Sequence, residues 1–272
     1  VIYDIFPNQL KMLVIVDGGI LYKCLSALQK IAYKIADNII VLSEDMKRTL
    51  IKNKKISKDK IYVISPWYDE KIFKCIKKNE NIIYDELHLN KEKFLVQYAG
   101  SLGQNFDYNF ILELAEELKS DTDIQIVLIG NGVKRNTIVS EIKKRKLNNI
   151  VLREMQPLEK ICNVYNACDV GIVPLKKGVI KCGFPSKVCQ LMICGKPIIS
   201  SVEESRYSQF INSGFGFAGY KDIKNTASFI RKIHVEKELY TKISNKCILY
   251  AQKYYGCAFN CNKLIDILKM KK

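Results

Sequence analysis

Acid is what this sequence is short of. Twenty-eight aspartates and glutamates stand against forty-four lysines and arginines in 272 residues, a formal net charge of +16. Histidine is scarcer still, with only His88 and His234. Both fall in polar, helix-like segments outside the strand ends, so each is expected at the surface rather than in proton transfer. No apolar run is long enough to span a bilayer; residues 12–16 and 39–42 are strand-sized stretches. No basic region followed by an apolar core opens the chain, so no signal peptide is visible. The first residue is Val, not Met, so a fragment or a processed product is expected. Repeats and low-complexity tracts are missing as well.

The basic surplus is densest from Lys47 to Lys78, where Lys52, Lys54, Lys55, Lys58 and Lys60 crowd a helix end and a turn. A solvated surface accounts for it, and so does attraction to an anionic membrane or to phosphorylated substrates. Nucleic acid is not expected as a partner, because there is no base-reading basic helix, RNA-binding aromatic motif or finger. Ten cysteines would frame a small secreted domain, but this chain is neither small nor loop-rich. Cys162, Cys168, Cys189 and Cys194 fall in apolar segments, and Cys257 and Cys261 are spaced for one helix face. Reduced, buried thiols are therefore expected, with no metal site.

Strand and helix signals alternate, which predicts an α/β fold with parallel sheets. In the first part, residues 12–19, 38–43 and 60–67 read as strands, with Ser43 capping a helix that carries Glu44 and Asp45 in its first turn. Residues 69–90 are polar and charge-dense, a linker with a connecting helix. A more complete unit follows, with strands running into glycine turns at 93–103 and 124–132, strands at 149–154, 169–175 and 196–202, and helices between them, a doubly wound sheet. The tail reads as helices broken near Gly256. The expected divisions are 1–70, the end of a Rossmann-like domain; 71–92, a linker; 93–221, a complete Rossmann-like domain; and 222–272, helices packing back toward the first domain.

In such a sheet, ligands sit beyond the C-terminal strand ends, against helix N-termini. Three glycine-bearing turns fall at such places: Gly100-Ser101-Leu102-Gly103, Gly130-Asn131-Gly132 and Gly183-Phe184-Pro185-Ser186-Lys187. One would be only a turn; three in one sheet, with Lys134 and Lys187 near, point to a phosphate cradle. In the last of them Pro185 sets the entry to a helix, Ser186 is a candidate cap and Lys187 supplies a compact charge.

The segments "YAGSLG", "LIGNG", "ACDVGIVPL" and "PSKVCQLMICGKPII", in this order and spacing, resemble the donor domain of GT-B glycosyltransferases of family 4, in the branch that builds bacterial capsule, O-antigen or exopolysaccharide. Upstream, "YDIFP", "YKIADNIIVLSEDM" and "VISPWYDEKIF" resemble the end of that family's acceptor domain and its crossing between domains. The resemblance implies a GT-B fold lacking the first part of the acceptor domain. It implies retaining transfer from a nucleotide diphosphate sugar, UDP favoured over GDP, to a glycan acceptor, with no cofactor or obligatory metal. The acceptor would be lipid-linked, on an undecaprenyl carrier. The enzyme would be cytoplasmic, with peripheral contact at the inner face of the cell membrane. By the same likeness Gly100 to Gly103 and the amides of Phe184 to Lys187 face the diphosphate, Lys187 and then Lys134 carry the stabilising charge, and Asp4 of "YDIFP" reaches the cleft from the acceptor side.

The sequence also departs from the family. Two glutamates eight positions apart in many members fall here on Cys182 and Gln190, of which only Gln190 still offers a ribose diol a hydrogen bond. The usual arginine after the first glycine is Ser101. A degenerate module that binds a nucleotide sugar or a partner enzyme without turnover is the alternative. A GT-B nucleotide sugar epimerase fits less well, since the cleft has few carboxylates and no histidine to offer.

Overall fold

The structure is a computed structural model that describes residues 1–8 and 19–270. Of the strand expected at 12–19, all but Gly19 lies outside the described residues. Helix α1 (Ile20–Ile35) leads to strand β1 (Ile39–Val41), helix α2 (Glu44–Lys54) and strand β2 (Ile61–Val63). The two strands pair in parallel, and Ile2 forms a further parallel bridge with Val41. Both are shorter than the sequence predicts, and β2 is over before Pro66 is reached. Ser43 starts α2 as expected, its Oγ accepting from the Met46 N–H at 3.2 Å. Met46 and Leu50 then turn inward to a core with Ile5, Tyr33, Ile39, Val41 and Ile61.

The helix expected within 69–90 shrinks to a single turn, α3 (Ile83–Glu86). The polar residues of this stretch are anchors instead. The Ile76 N–H donates to Asn166 Oδ1 at 2.9 Å, and Asn81 Oδ1 accepts from the Ile83 N–H while its Nδ2 donates to the Asn163 carbonyl. Asparagine side chains that take up backbone groups in this way compete with helix formation.

The larger sheet carries β3 (Phe94–Ala99), α4 (Tyr108–Glu117), β4 (Ile124–Ile129), α5 (Arg135–Arg145), β5 (Ile150–Arg153), α6 (Ile161–Asn166), β6 (Val170–Pro174), α7 (Lys187–Ile193), β7 (Ile198–Ser201), α8 (Arg206–Asn212) and β8 (Gly216–Ala218). Its strands are parallel in the order β5-β4-β3-β6-β7-β8. Both faces are covered, which is why β3, β4 and β6 read as continuous apolar runs. The sixth strand, β8, was not among those expected. It is three residues long in a glycine-rich stretch, and a Cβ on Gly216 would lie 1.8 Å from the Ile198 carbonyl oxygen, so the feature that looks like a turn is a close strand contact. Asp169 holds the start of the sheet, Oδ2 accepting from the Leu95 N–H at 2.7 Å.

Helices α9 (Ile223–Val235), α10 (Lys237–Tyr254) and α11 (Cys257–Lys269) close the chain. The last returns to the small sheet, where Ile267 packs with Ile40 and Ile64. His88 is exposed, but His234 is half-buried, its ring 4.9 Å from that of Phe94. The helical period explains the difference from expectation: residue 234 adjoins the buried Ile230 and Ile233 on the inner stripe of α9.

Candidate active site at the sheet switch point

β3 and β6 lie side by side, but the chain leaves β3 toward β4 on one side and leaves β6 toward β7 on the other. Beyond their C-terminal ends is the crevice in which open α/β sheets bind ligands. A cleft of ≈ 350 Å³ opens there. Its walls are the loop after β3 (Ser101 and Gly103 to Phe106), the end of β6 (Val173 to Leu175) and Gly183 to Lys187 ahead of α7, with Asp4 at the edge.

Lys187 is the first residue of α7, and its Nζ points back to the β3 loop. It lies 3.7 Å from the ring centroid of Tyr98, and a Cβ on Gly100 would be 2.7 Å from it. Gly100, at φ 145°, thus has two reasons to be glycine: its backbone conformation and the space that the ammonium occupies. Among the described residues no acidic group pairs with Lys187. Burial lowers its pKa from the ordinary 10.5 to about 7. The result is an amine buried at a cost to its charged form, over an aromatic face.

The Tyr98 hydroxyl donates to the Ser101 carbonyl at 2.7 Å and so shapes the turn that Lys187 touches. The residues that complete the site include Asn105 and Phe106, which sequence reasoning missed. Asn105 Oδ1 is buried and has no hydrogen-bond partner among the described residues. A polar pair, Gln104-Asn105, between a glycine turn and an aromatic residue was the available signal.

Several expected site residues have other duties. The Leu102 side chain is fully buried, its N–H donates to the Asn131 carbonyl (2.9 Å) and its own carbonyl accepts from the Lys134 N–H (3.0 Å). Gly130 and Gly132 are bare so that the two turns can touch: a Cβ on Gly130 would lie 1.9 Å from the Gly100 carbonyl oxygen, and one on Gly132 would lie 2.6 Å from that of Leu102. The second glycine turn therefore supports the first, and Gly130, Asn131, Gly132 and Lys134 are not in the cleft lining. Lys134 sits at the N-cap of α5. Ser186 makes no side-chain capping bond, contrary to expectation; its exposed hydroxyl lines the cleft. Nothing among the described residues accepts the N–H of Ser186 or Lys187, the first amides of a buried helix.

The first unit reaches this loop directly. The Ile5 N–H donates to the Cys182 carbonyl at 2.7 Å, Asp4 bridges Gly183, and a Cβ on Gly183 would be 2.6 Å from Asp4 Oδ1. Cys182 is buried in the core of the first unit, and burial, with Asp4 adding to it, pushes its thiol up to about 11. It is a packing residue. Gln190 also lies outside the cleft lining, with Oε1 buried and unpartnered among the described residues. No group of three or more His, Cys, Asp or Glu among the described residues could hold a metal ion.

The family described as "Glycosyl transferases group 1" matches residues 79–252. The chain is 28% identical over 209 residues to "Probable glycosyltransferase WbjE" of Pseudomonas aeruginosa, covering 75% of this chain and 50% of that protein. It is 19% identical over 187 residues to "Putative colanic acid biosynthesis glycosyl transferase WcaI" of Escherichia coli (strain K12), covering 68% and 46%. The chain thus spans about half the length of the curated relatives it matches. Among solved structures, Anabaena Alr3699/HepE in complex with UDP superposes with a TM-score of 0.78 at 14% identity, covering 99% of this chain and 71% of that one. Sucrose-phosphate synthase from Thermosynechococcus elongatus gives 0.74 at 18% identity, covering 91% and 61%. The fold is of the GT-B type. The family match takes in well over half of the sequence, and the chain belongs to the glycosyl transferases group 1 family.

Proposed function

We propose that the chain supplies the donor site of an enzyme that moves a sugar from a nucleotide diphosphate sugar to a glycan in cell-envelope polysaccharide synthesis, with retention at the anomeric carbon. The observation that carries this reading is Lys187, an unpaired cation on the wall of the switch-point cleft beside the open amides of Ser186 and Lys187. When the bond from sugar to diphosphate breaks, negative charge grows on the departing phosphate oxygen. A fixed ammonium and fixed amides stabilise that charge without reorganising. The Asn105 amide would hold the donor beside them. Asp4 would approach from the acceptor side. UDP is the favoured carrier: the similar Anabaena protein has been solved with UDP-glucose.

The acceptor in this reading is a lipid-linked glycan at an anionic membrane. Lys52, Lys55 and Lys58 are exposed together on the first unit, and each lysine near such a surface adds about 1 kcal/mol of attraction. No described helix is long and apolar enough to cross a membrane, so contact would be peripheral. The test is the thermal midpoint with excess UDP, GDP, ADP or CMP. A rise with one nucleotide supports a working donor site and names its base. No rise with any, in a folded sample, overturns the reading and leaves a module that does not bind nucleotide.

A further inference from the structure

The crossing from the first unit docks on the larger sheet at a group of thiols that includes Cys194, at the opposite end of α7 from Lys187. Asn166 Nδ2 lies 3.5 Å from Cys162 Sγ and 3.2 Å from Cys194 Sγ. Both sulfurs also approach one atom of the crossing, the Lys74 carbonyl oxygen, at 3.5 and 3.9 Å. Cys162 is the second residue of α6, and Cys194 caps the C-terminus of α7. The neighbouring Cys75 is turned to a different acceptor, the Ile193 carbonyl, at 3.3 Å. A surface pocket of ≈ 450 Å³ opens beside the pair and is lined by Cys162, Lys74 and Glu159, so small oxidants in solvent have a path to one sulfur of the two.

We propose that Cys162 and Cys194 are a redox pair in which a hydroperoxide oxidises Cys162 and Cys194 resolves it to an intramolecular disulfide. The Cys162 thiolate attacks one peroxide oxygen, the O–O bond breaks, and Cys162 becomes a sulfenic acid while hydroxide (or an alkoxide) departs. Cys194 sulfur then attacks the sulfenic sulfur. The S–S bond forms, the S–O bond breaks, and the hydroxyl leaves as water with the Cys194 proton. The sulfurs are oxidised by two electrons in total and the peroxide is reduced by two. The roles follow from the environment. The hydrogen bond to Cys194 draws the Cys162 thiol down to about 6 against the opposing effect of burial, with Lys74 and Asn166 adding to it. The same bond and burial hold Cys194 well above its ordinary value, so it remains the proton-bearing partner. A thiolate beside a pocket and a protonated thiol behind it are what a reactive and a resolving cysteine require.

The site also has a consequence for shape. Asn166, which contacts both sulfurs, is the residue that accepts from Ile76 and donates to Lys74, so it fastens the crossing to the sheet. Drawing the sulfurs together to the ~2 Å of an S–S bond must move that anchor.

The experiment is peptide mapping of the reduced full chain after hydrogen peroxide, with alkylation and no reductant. The expected result is a peptide joined through Cys162 and Cys194, and the loss of that pair from the ten free thiols. In Cys194→Ser, dimedone added with the peroxide should label Cys162; in Cys162→Ser, neither the linkage nor a label on Cys194 should form. A linkage of Cys162 through Cys75 or Cys168 overturns the assignment. So does oxidation confined to the exposed Cys24 and Cys75, with Cys162 and Cys194 both alkylated once the chain is unfolded. Equal thermal midpoints of the two variants and the parent exclude misfolding as the cause of a negative.

Discussion

Replacing Lys187 with methionine should stabilise the nucleotide-free chain and abolish its response to nucleotide. One pKa unit is about 1.4 kcal/mol, so a fall from 10.5 to about 7 caps the cost of holding the ammonium at roughly 4 to 5 kcal/mol. The residue keeps partial contact with water, and the Tyr98 face offsets part of the loss, so we take about 2 kcal/mol as the recoverable amount. Methionine keeps the apolar stem. For a chain of this size that is a rise of about 4 °C in the thermal midpoint. A nucleotide at about a hundred times its Kd adds ~2.7 kcal/mol, roughly 5 °C, to the parent and should add almost nothing to the variant. The signs with pH are opposite for the two effects. The folded-state pKa lies below the unfolded one, so between about pH 7 and 10.5 the unfolded chain holds more protons, and the parent gains stability as pH rises through that window. Nucleotide binding needs the ammonium, so its effect should be largest below about pH 7 and fade above it. Thermal melts of both proteins on either side of that value, with and without UDP, read all of this. A variant that melts below its parent without nucleotide, or keeps the nucleotide response, refutes the reasoning.

Gly100→Ala forces a side chain onto φ 145° and toward Lys187 Nζ; it should cost about 1 to 3 kcal/mol and weaken the nucleotide shift, and a normal shift in a melt with UDP would show that the loop and the lysine are independent. Gly130→Ala sets a Cβ 1.9 Å from a backbone oxygen that cannot easily give way, so a loss of about 3 kcal/mol or more is expected by denaturant titration, and a neutral result would mean the two turns are not packed as described. Asp45→Ala removes the carboxylate that accepts from the Arg206 and Tyr207 N–H groups at 2.9 Å each; about 1 kcal/mol should be lost, with the UDP shift unchanged because Asp45 is not in the cleft.

The alternation of strand and helix was legible because a parallel sheet with two covered faces writes its strands as apolar runs, as in β3, β4 and β6. Ser43 was legible as a cap because its bond is to its own helix, three residues on. Asp45 next to it was legible only as a first-turn acid, since its two partners lie 161 and 162 residues away. Glycines were the ambiguous signal. Gly100, Gly130 and Gly132 look alike in sequence, but the first makes room for a lysine and the other two for a neighbouring backbone. β8 was missed because a three-residue edge strand beginning at a glycine has neither alternation nor length. Tyr98 was hidden for the opposite reason: it is a good strand residue, and only the folded loop shows that its ring lies beneath a charge.

These placements bear on how the cleft is held. The loop before α7 is fixed from behind by Gly171, where a Cβ would lie 2.4 Å from a Leu191 methyl, and this sets how closely α7 approaches β6. It is fixed in front by the first unit, through the Ile5 bond to Cys182 and the burial of Cys182 in that unit's core. The C-terminal helix then ties back to the small sheet through Ile267. Rotating one unit against the other must therefore strain the 182–183 contact, four residues from Lys187, together with the Asp45 bonds to the start of α8.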